Sequence, residues 1–157
     1  MKLLFENWRK YIREIYSPRE SITISTKEEL KKYLEQNPEE NFTINIDSPI
    51  DSYKKFGSET LHQLPFDYGE WPELINPADD MGWDMVVVPS ASGNAQPPQN
   101  LKIIGVVEYN GEKAPQKKGN DKMIVAPGGN VLDSDREIIN TFFEKFNDFN
   151  KVKWSFK

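Results

Sequence analysis

Apolar positions at the start of the chain recur at helical spacing. Leu4, Trp8, Tyr11, Ile12 and Ile15 fall three and four residues apart, with Arg9, Lys10, Arg13 and Glu14 between them. This spacing predicts an amphipathic helix over residues 3–16. Ser17 and Pro18 end it, because proline cannot continue the helical hydrogen-bond ladder. Residues 22–25 alternate and read as a short strand. Thr26 and Glu29 then have the spacing of a capping box, which starts a helix through Leu30, Tyr33 and Leu34. Asn37 and Pro38 close it. From Asn41 onward the period shortens to two, with Phe42, Ile44 and Ile46 alternating against Thr43 and Asn45. A stretch punctuated by Pro65, Gly69, Pro72, Pro77 and Gly82 follows. Next come three apolar runs rich in β-branched residues, at 85–88, 103–107 and 123–125. Each is short and bounded by Pro, Gly or Asn, so buried strands are expected. Residues 90–100 read as a surface loop. A last helix opens near Asp133 or Ser134, with Ile138, Ile139, Phe142, Phe143, Phe146 and Phe149 as one wide apolar stripe. The pattern predicts an α+β chain: a small, mostly antiparallel barrel or sheet over 42–157 with a C-terminal closing helix, preceded by a helical extension over 1–41.

Composition narrows the chemistry. The length of 157 residues suits one domain, and 20 Lys plus Arg against 25 Asp plus Glu gives a net charge of −5. Such a chain is a poor candidate for a nucleic-acid surface, which needs clustered cations against phosphates. There is no Cys and a single His, His62. Thiol chemistry, iron–sulfur clusters and Cys- or His-rich metal sites are thereby excluded. No apolar run approaches the roughly 18 residues that span a bilayer, and none ends in a secretory cleavage site, so a cytoplasmic protein is expected. What chemistry there is must use carboxylates, Lys, Tyr, Ser and Thr. No Arg occurs between Glu20 and Asp135.

The densest polar constellation runs from Asp79 to Asp84, three carboxylates just ahead of an apolar run. Such a cluster suits a hard, oxygen-seeking cation such as Mg²⁺, and equally an acidic solvated turn. Taken in order, these pieces resemble the soluble family I inorganic pyrophosphatases. Residues 141–154, with Phe142-Phe143-Glu144 and the closing Lys151-Val152-Lys153-Trp154, look like that family's last helix. Ile104-Gly105-Val106-Val107 looks like its Gly-Val-Leu strand. Residues 122–127 resemble the strand carrying its phosphate-binding Lys, and Pro65-Phe66-Asp67-Tyr68-Gly69 its Pro-x-Asn-Tyr-Gly turn. Residues 79–85 stand where the family has Asp-x-Asp-Pro-aliphatic-Asp-aliphatic.

The resemblance implies an OB-like five-stranded barrel, Mg²⁺ (with Mn²⁺ as a substitute), and hydrolysis of pyrophosphate or another small diphosphate by metal-assisted phosphoryl transfer. Carried over by position, Asp79 and Asp84 are metal ligands and Tyr68 and Lys122 bind phosphate, while Asp121 and Asp80, next to substituted positions, stand in as a metal ligand and as the catalytic base. The departures are several. Met81 replaces the Asp that faces the attacking water, and Gly82 replaces the following Pro. Asn120 and Gly111 occupy two ligand positions, while Asn45 falls where a Glu belongs. Phe146 and Asn147 replace a phosphate-binding Tyr-Lys pair, and the clamping Arg has no counterpart. Lys54, Lys55, Lys117 or Lys118 are the cations able to replace those losses, as point charges and not as forks. A different class of reading follows from the same departures: a catalytically impaired module of this fold that binds or builds.

Two further expectations concern assembly. Residues 1–14 form a short basic leader ending in Ile12-Arg13-Glu14. It is similar to the capsid-targeting leaders of tailed-phage internal proteins, cut after an aliphatic-x-Glu triplet. The competing reading is a helix that packs on the barrel or on a sister subunit. The family resemblance also implies a homo-oligomer.

Overall fold

The computed structural model describes residues 20–37, 42–56, 60–96 and 98–154. The helix expected over 3–16 and its leader motif lie outside them. Strand β1 (Ile22–Thr23) is followed by helix α1 (Lys27–Gln36), then β2 (Asn45–Ser48), β3 (Tyr53–Lys55), β4 (Leu61–Gln63), β5 (Asp67–Asn76), β6 (Met81–Val87), β7 (Leu101–Val107), β8 (Lys122–Pro127) and helix α2 (Asp133–Phe143). Thr26 caps α1 as its spacing with Glu29 predicts, Thr26 Oγ1 accepting from Glu29 N at 3.1 Å. None of the helices among the described residues is long and apolar enough to cross a membrane.

The fold is α+β around a mixed sheet of order β1-β5-β6-β8-β7, with β2 also pairing β5. β1 pairs β5 in parallel at Leu74 and Ile75, and β2 pairs it antiparallel at Tyr68 to Glu70. β6 runs antiparallel to β5 and parallel to β8. Among the described residues no pairing joins the two edges, so they form a mixed sheet without closing the expected barrel. At the β7 edge the C-terminal segment lies alongside the end of the strand. Val106 bridges Lys153, and Tyr109, just past the strand, bridges Phe149. The C-terminal segment thus covers the last part of that edge, where Val106 exchanges backbone hydrogen bonds with Lys153.

Each face of the sheet carries one helix. Ile139, Phe142 and Phe143 of α2, with Phe146 and Phe149 beyond it, pack on Tyr68, Val86, Val107 and Ile124. Leu30 of α1 packs on the other face against Trp71, Trp83, Met85 and Met123. The apolar stripe read from the sequence is therefore core, except that Ile138 faces solvent.

The Pro- and Gly-punctuated stretch hides the longest strand. β5 is buried along its whole length and carries Pro72 in its interior. Proline is tolerated there because the β5–β6 register shifts between Trp71 and Ile75, and a bulge frees the strand from an unbroken ladder. Two glycines serve the same region. A Cβ on Gly69 would lie 2.2 Å from the Asn45 carbonyl oxygen, and one on Gly82 would lie 2.3 Å from that of Trp71. Neither position has room for a side chain, which accounts for glycine at both. The β3–β4 hairpin, absent from the sequence pattern, stands beside this region and seats Phe56 edge-on against Tyr68 at 5.0 Å.

Candidate functional site

Strand alternation gathers the polar centre. Asp84 of β6 is the register partner of Lys122 on β8 and of Glu70 on β5, so their side chains share a face. Tyr68, two residues before Glu70, joins them. Lys122 and Asp84 are each 4% exposed, and Lys122 Nζ donates to Asp84 Oδ2 at 2.8 Å. A buried charge persists only when it is paired in this way.

Two phenols flank that ammonium. Lys122 Nζ lies 5.7 Å from the Tyr68 ring centre and 5.4 Å from that of Tyr109. Lys54 Nζ also stands 5.0 Å from the Tyr68 ring centre, and Lys117 Nζ 5.2 Å from that of Tyr109. The result is a ladder: Lys54, Tyr68, Lys122, Tyr109, Lys117. Each rung is a cation–π contact worth about 0.5–2 kcal/mol. β3 supplies Lys54, and a 3-10 turn over Pro115–Lys117 supplies Lys117. Tyr109 is fixed by stacking on Phe149, with ring centres 4.5 Å apart. The outer members Lys54, Tyr109 and Lys117 are half-buried, so the ladder opens toward solvent.

The protonation states follow from burial and neighbours. Burial raises Tyr68 well above the ordinary phenol range, Asp84 adds to this, and Lys122 opposes it. Burial likewise raises Tyr109 against Lys122. Both are neutral O–H groups able to donate. Burial pushes Lys122 down, but Asp84, Tyr68 and Tyr109 outweigh it, so its pKa stands well above that of an ordinary lysine. Acidic neighbours remain at the margins: the field of Asp47 reaches Tyr68 and that of Asp148 reaches Tyr109.

Of the six residues singled out from the sequence, the structure brings Tyr68, Asp84 and Lys122 together. Asp79 and Asp80 lie on the β5–β6 turn, where Asp79 Oδ1 accepts from Met81 N at 3.0 Å and Asp80 is exposed with φ 58°. An extended strand separates Asp80 from Asp84 by about 13 Å. Met81 shares the strand face of Trp83 and Met85, opposite Asp84, because β6 is regular from its first residue. Asp121 precedes Lys122 and so turns to the other side. There Lys27 Nζ of α1 stands 3.5 Å from Asp121 Oδ2 and 3.1 Å from Glu108 Oε2, and Lys153 pairs with the same Glu108.

These residues do not fit a Mg²⁺ centre. Mg²⁺ needs several oxygen ligands in a near-octahedral set, whereas Asp84 and Asp121 face ammonium groups and Asp79 closes a turn. Among the described residues no three Asp, Glu or His side chains come together as a metal-sized group. Sequence reasoning missed Tyr109, whose only signal is a polar aromatic two residues past an apolar strand. It also missed Asp67, which ties loops together by accepting from Ile50 N at 2.7 Å and from Gly93 N at 3.0 Å.

No protein-family model matches the chain, and no curated protein matches it. Among solved structures it is similar to an inorganic pyrophosphatase from Helicobacter pylori, with 17% sequence identity over 73% of this chain and 79% of that one and a TM-score of 0.39. What the site can do is decided by its own side chains.

Proposed function

We propose that this chain binds a small phosphate-bearing anion, pyrophosphate or another small diphosphate, at the lysine–tyrosine ladder, as a pyrophosphatase-like module impaired in hydrolysis. The observation that carries the reading is the ladder itself. Three ammonium groups alternate with two neutral phenols along it, with Asp84 as the carboxylate paired to the central ammonium. Ammonium groups and O–H donors are what phosphate oxygens require, and a multiply charged anion draws on all three cations. The resemblance of residues 65–69 and 122–127 to the pyrophosphatase pattern supports a diphosphate over a carboxylate ligand. Impairment follows from the carboxylates: general-base activation of water needs an available carboxylate within reach of the phosphorus, and Asp84 is committed to Lys122.

Calorimetric titration of the full chain with pyrophosphate tests this. Saturable binding is expected, weakened at least about tenfold in a Lys54→Met, Lys117→Met double variant whose unfolding midpoint is unchanged. Unaltered affinity in that variant would remove the ladder as the binding site. Brisk release of inorganic phosphate with Mg²⁺ present would overturn the impairment and favour the Mg²⁺-dependent hydrolase.

A further inference from the structure

Resting on that anion-site reading, we infer that the site takes the metal-free diphosphate anion, and that Mg²⁺ competes with the protein for it. A metal-using phosphate site interposes divalent cations between protein carboxylates and phosphate oxygens. Here the three carboxylates that the resemblance offers for that task are already engaged. Asp84 Oδ2 receives Lys122 Nζ at 2.8 Å, Asp121 Oδ2 faces Lys27 Nζ at 3.5 Å, and Asp79 Oδ1 receives the Met81 amide at 3.0 Å. A cation brought to Asp84 would lie against the Lys122 ammonium, in surroundings where like charges are poorly screened.

The ladder meanwhile supplies by ammonium and phenol what metal ions would supply: positive charge and donors opposite the phosphate oxygens. Lys54 and Lys117 mark its two ends and Lys122 its centre, each against a tyrosine ring. An array of three cations is drawn to the full charge of a diphosphate. Magnesium diphosphate has surrendered part of that charge and carries a hydrated cation of its own. It is attracted less and is repelled by the same lysines, so the protein discriminates against the complexed form by charge.

Titrating the full chain with pyrophosphate in EDTA, and again with MgCl₂ in excess at ionic strength matched with KCl, tests the inference. The apparent affinity is expected to fall at least about tenfold in magnesium. Equal or tighter binding in magnesium overturns the metal-free inference and leaves the anion site standing. Absence of binding in both buffers removes the anion site itself. MgCl₂ titrated alone is expected to give no saturable heat. A saturable signal that disappears in an Asp79→Asn, Asp84→Asn variant would also overturn the inference.

Discussion

Lys122 and Asp84 show how two residues distant in the chain become partners. The apolar runs put Lys122 at the opening of a strand and Asp84 just ahead of one, but that β6 and β8 are parallel neighbours in a register setting Asp84 opposite Lys122 is invisible in a single chain. A buried pair of this kind adds little over apolar residues of similar size, while removing one member strands the other charge at a cost of about 3–5 kcal/mol. Lys122→Met is therefore expected to lower the unfolding free energy by that amount in urea denaturation. A Lys122→Met, Asp84→Leu double variant should recover most of the loss. If the double variant is as unstable as the single one, the uncompensated charge is not the cause. The replacement cations belong to this scale too. Lys54, Lys55, Lys117 and Lys118 are equivalent as letters, and the backbone geometry of β3 and of the turn over Pro115–Lys117 brings Lys54 and Lys117 against tyrosine rings.

At the scale of elements, local signals carried far where they were local in origin. The Thr26 cap, the three apolar runs and the helix opening at Asp133 are all present. β5 was obscured because Pro72 and Gly69 argue against a strand until the bulge and the close approach of Asn45 are known. Helix α2 also depends on a contact that no propensity encodes. Asp135, buried at 1% exposure, accepts from Leu132 N at 3.0 Å, from Ser90 N at 2.8 Å and from Ser90 Oγ at 2.6 Å. It caps the helix and fastens it to the turn over Pro89–Ala91. Asp135→Ala is expected to cost about 2–4 kcal/mol, since it strands three donors, and the cost is read as a shift of the denaturant midpoint. A shift no larger than that of an exposed Glu137→Ala control would mean that α2 is held by its aromatic face alone.

On the scale of the whole molecule, the charge network at the start of α1 ties that helix to the sheet. Burial pulls Lys27 down, but Glu108, Asp121 and Glu28 outweigh it and its pKa is raised. Its stabilisation is present below its ordinary value of 10.5 and is lost as pH rises through the raised one. Burial pulls Glu108 up, yet Lys153 and Lys27 leave it lowered, so its stabilisation is present above 4.5 and is lost as pH falls through the lowered value. Asp121 has the opposite sign. Burial and Glu108 raise it despite Lys27, so it costs stability once pH exceeds 3.8 and is relieved on acidification. Lys27→Met removes the cation shared by both carboxylates. The variant is expected to lose on the order of 1 kcal/mol at neutral pH, a value that allows for solvent screening of half-buried groups. The loss should shrink as pH falls below 4.5 and the carboxylates protonate. A loss independent of pH would assign Lys27 a packing role. The same network shows where the sequence stops. By itself the sequence determined the α+β class, the strand and helix positions whose periodicity is local, the absence of thiol chemistry and the type of residue able to meet a phosphate. Hydrophobic period, capping and composition act over a few residues and need no partner strand. Tertiary structure alone decided how the strands are ordered in the sheet, that Asp84 meets an ammonium and Asp121 another, and that Tyr109 completes a ladder with Lys54 and Lys117. Those outcomes depend on register and pairing between segments tens of residues apart, which one chain read in order does not carry.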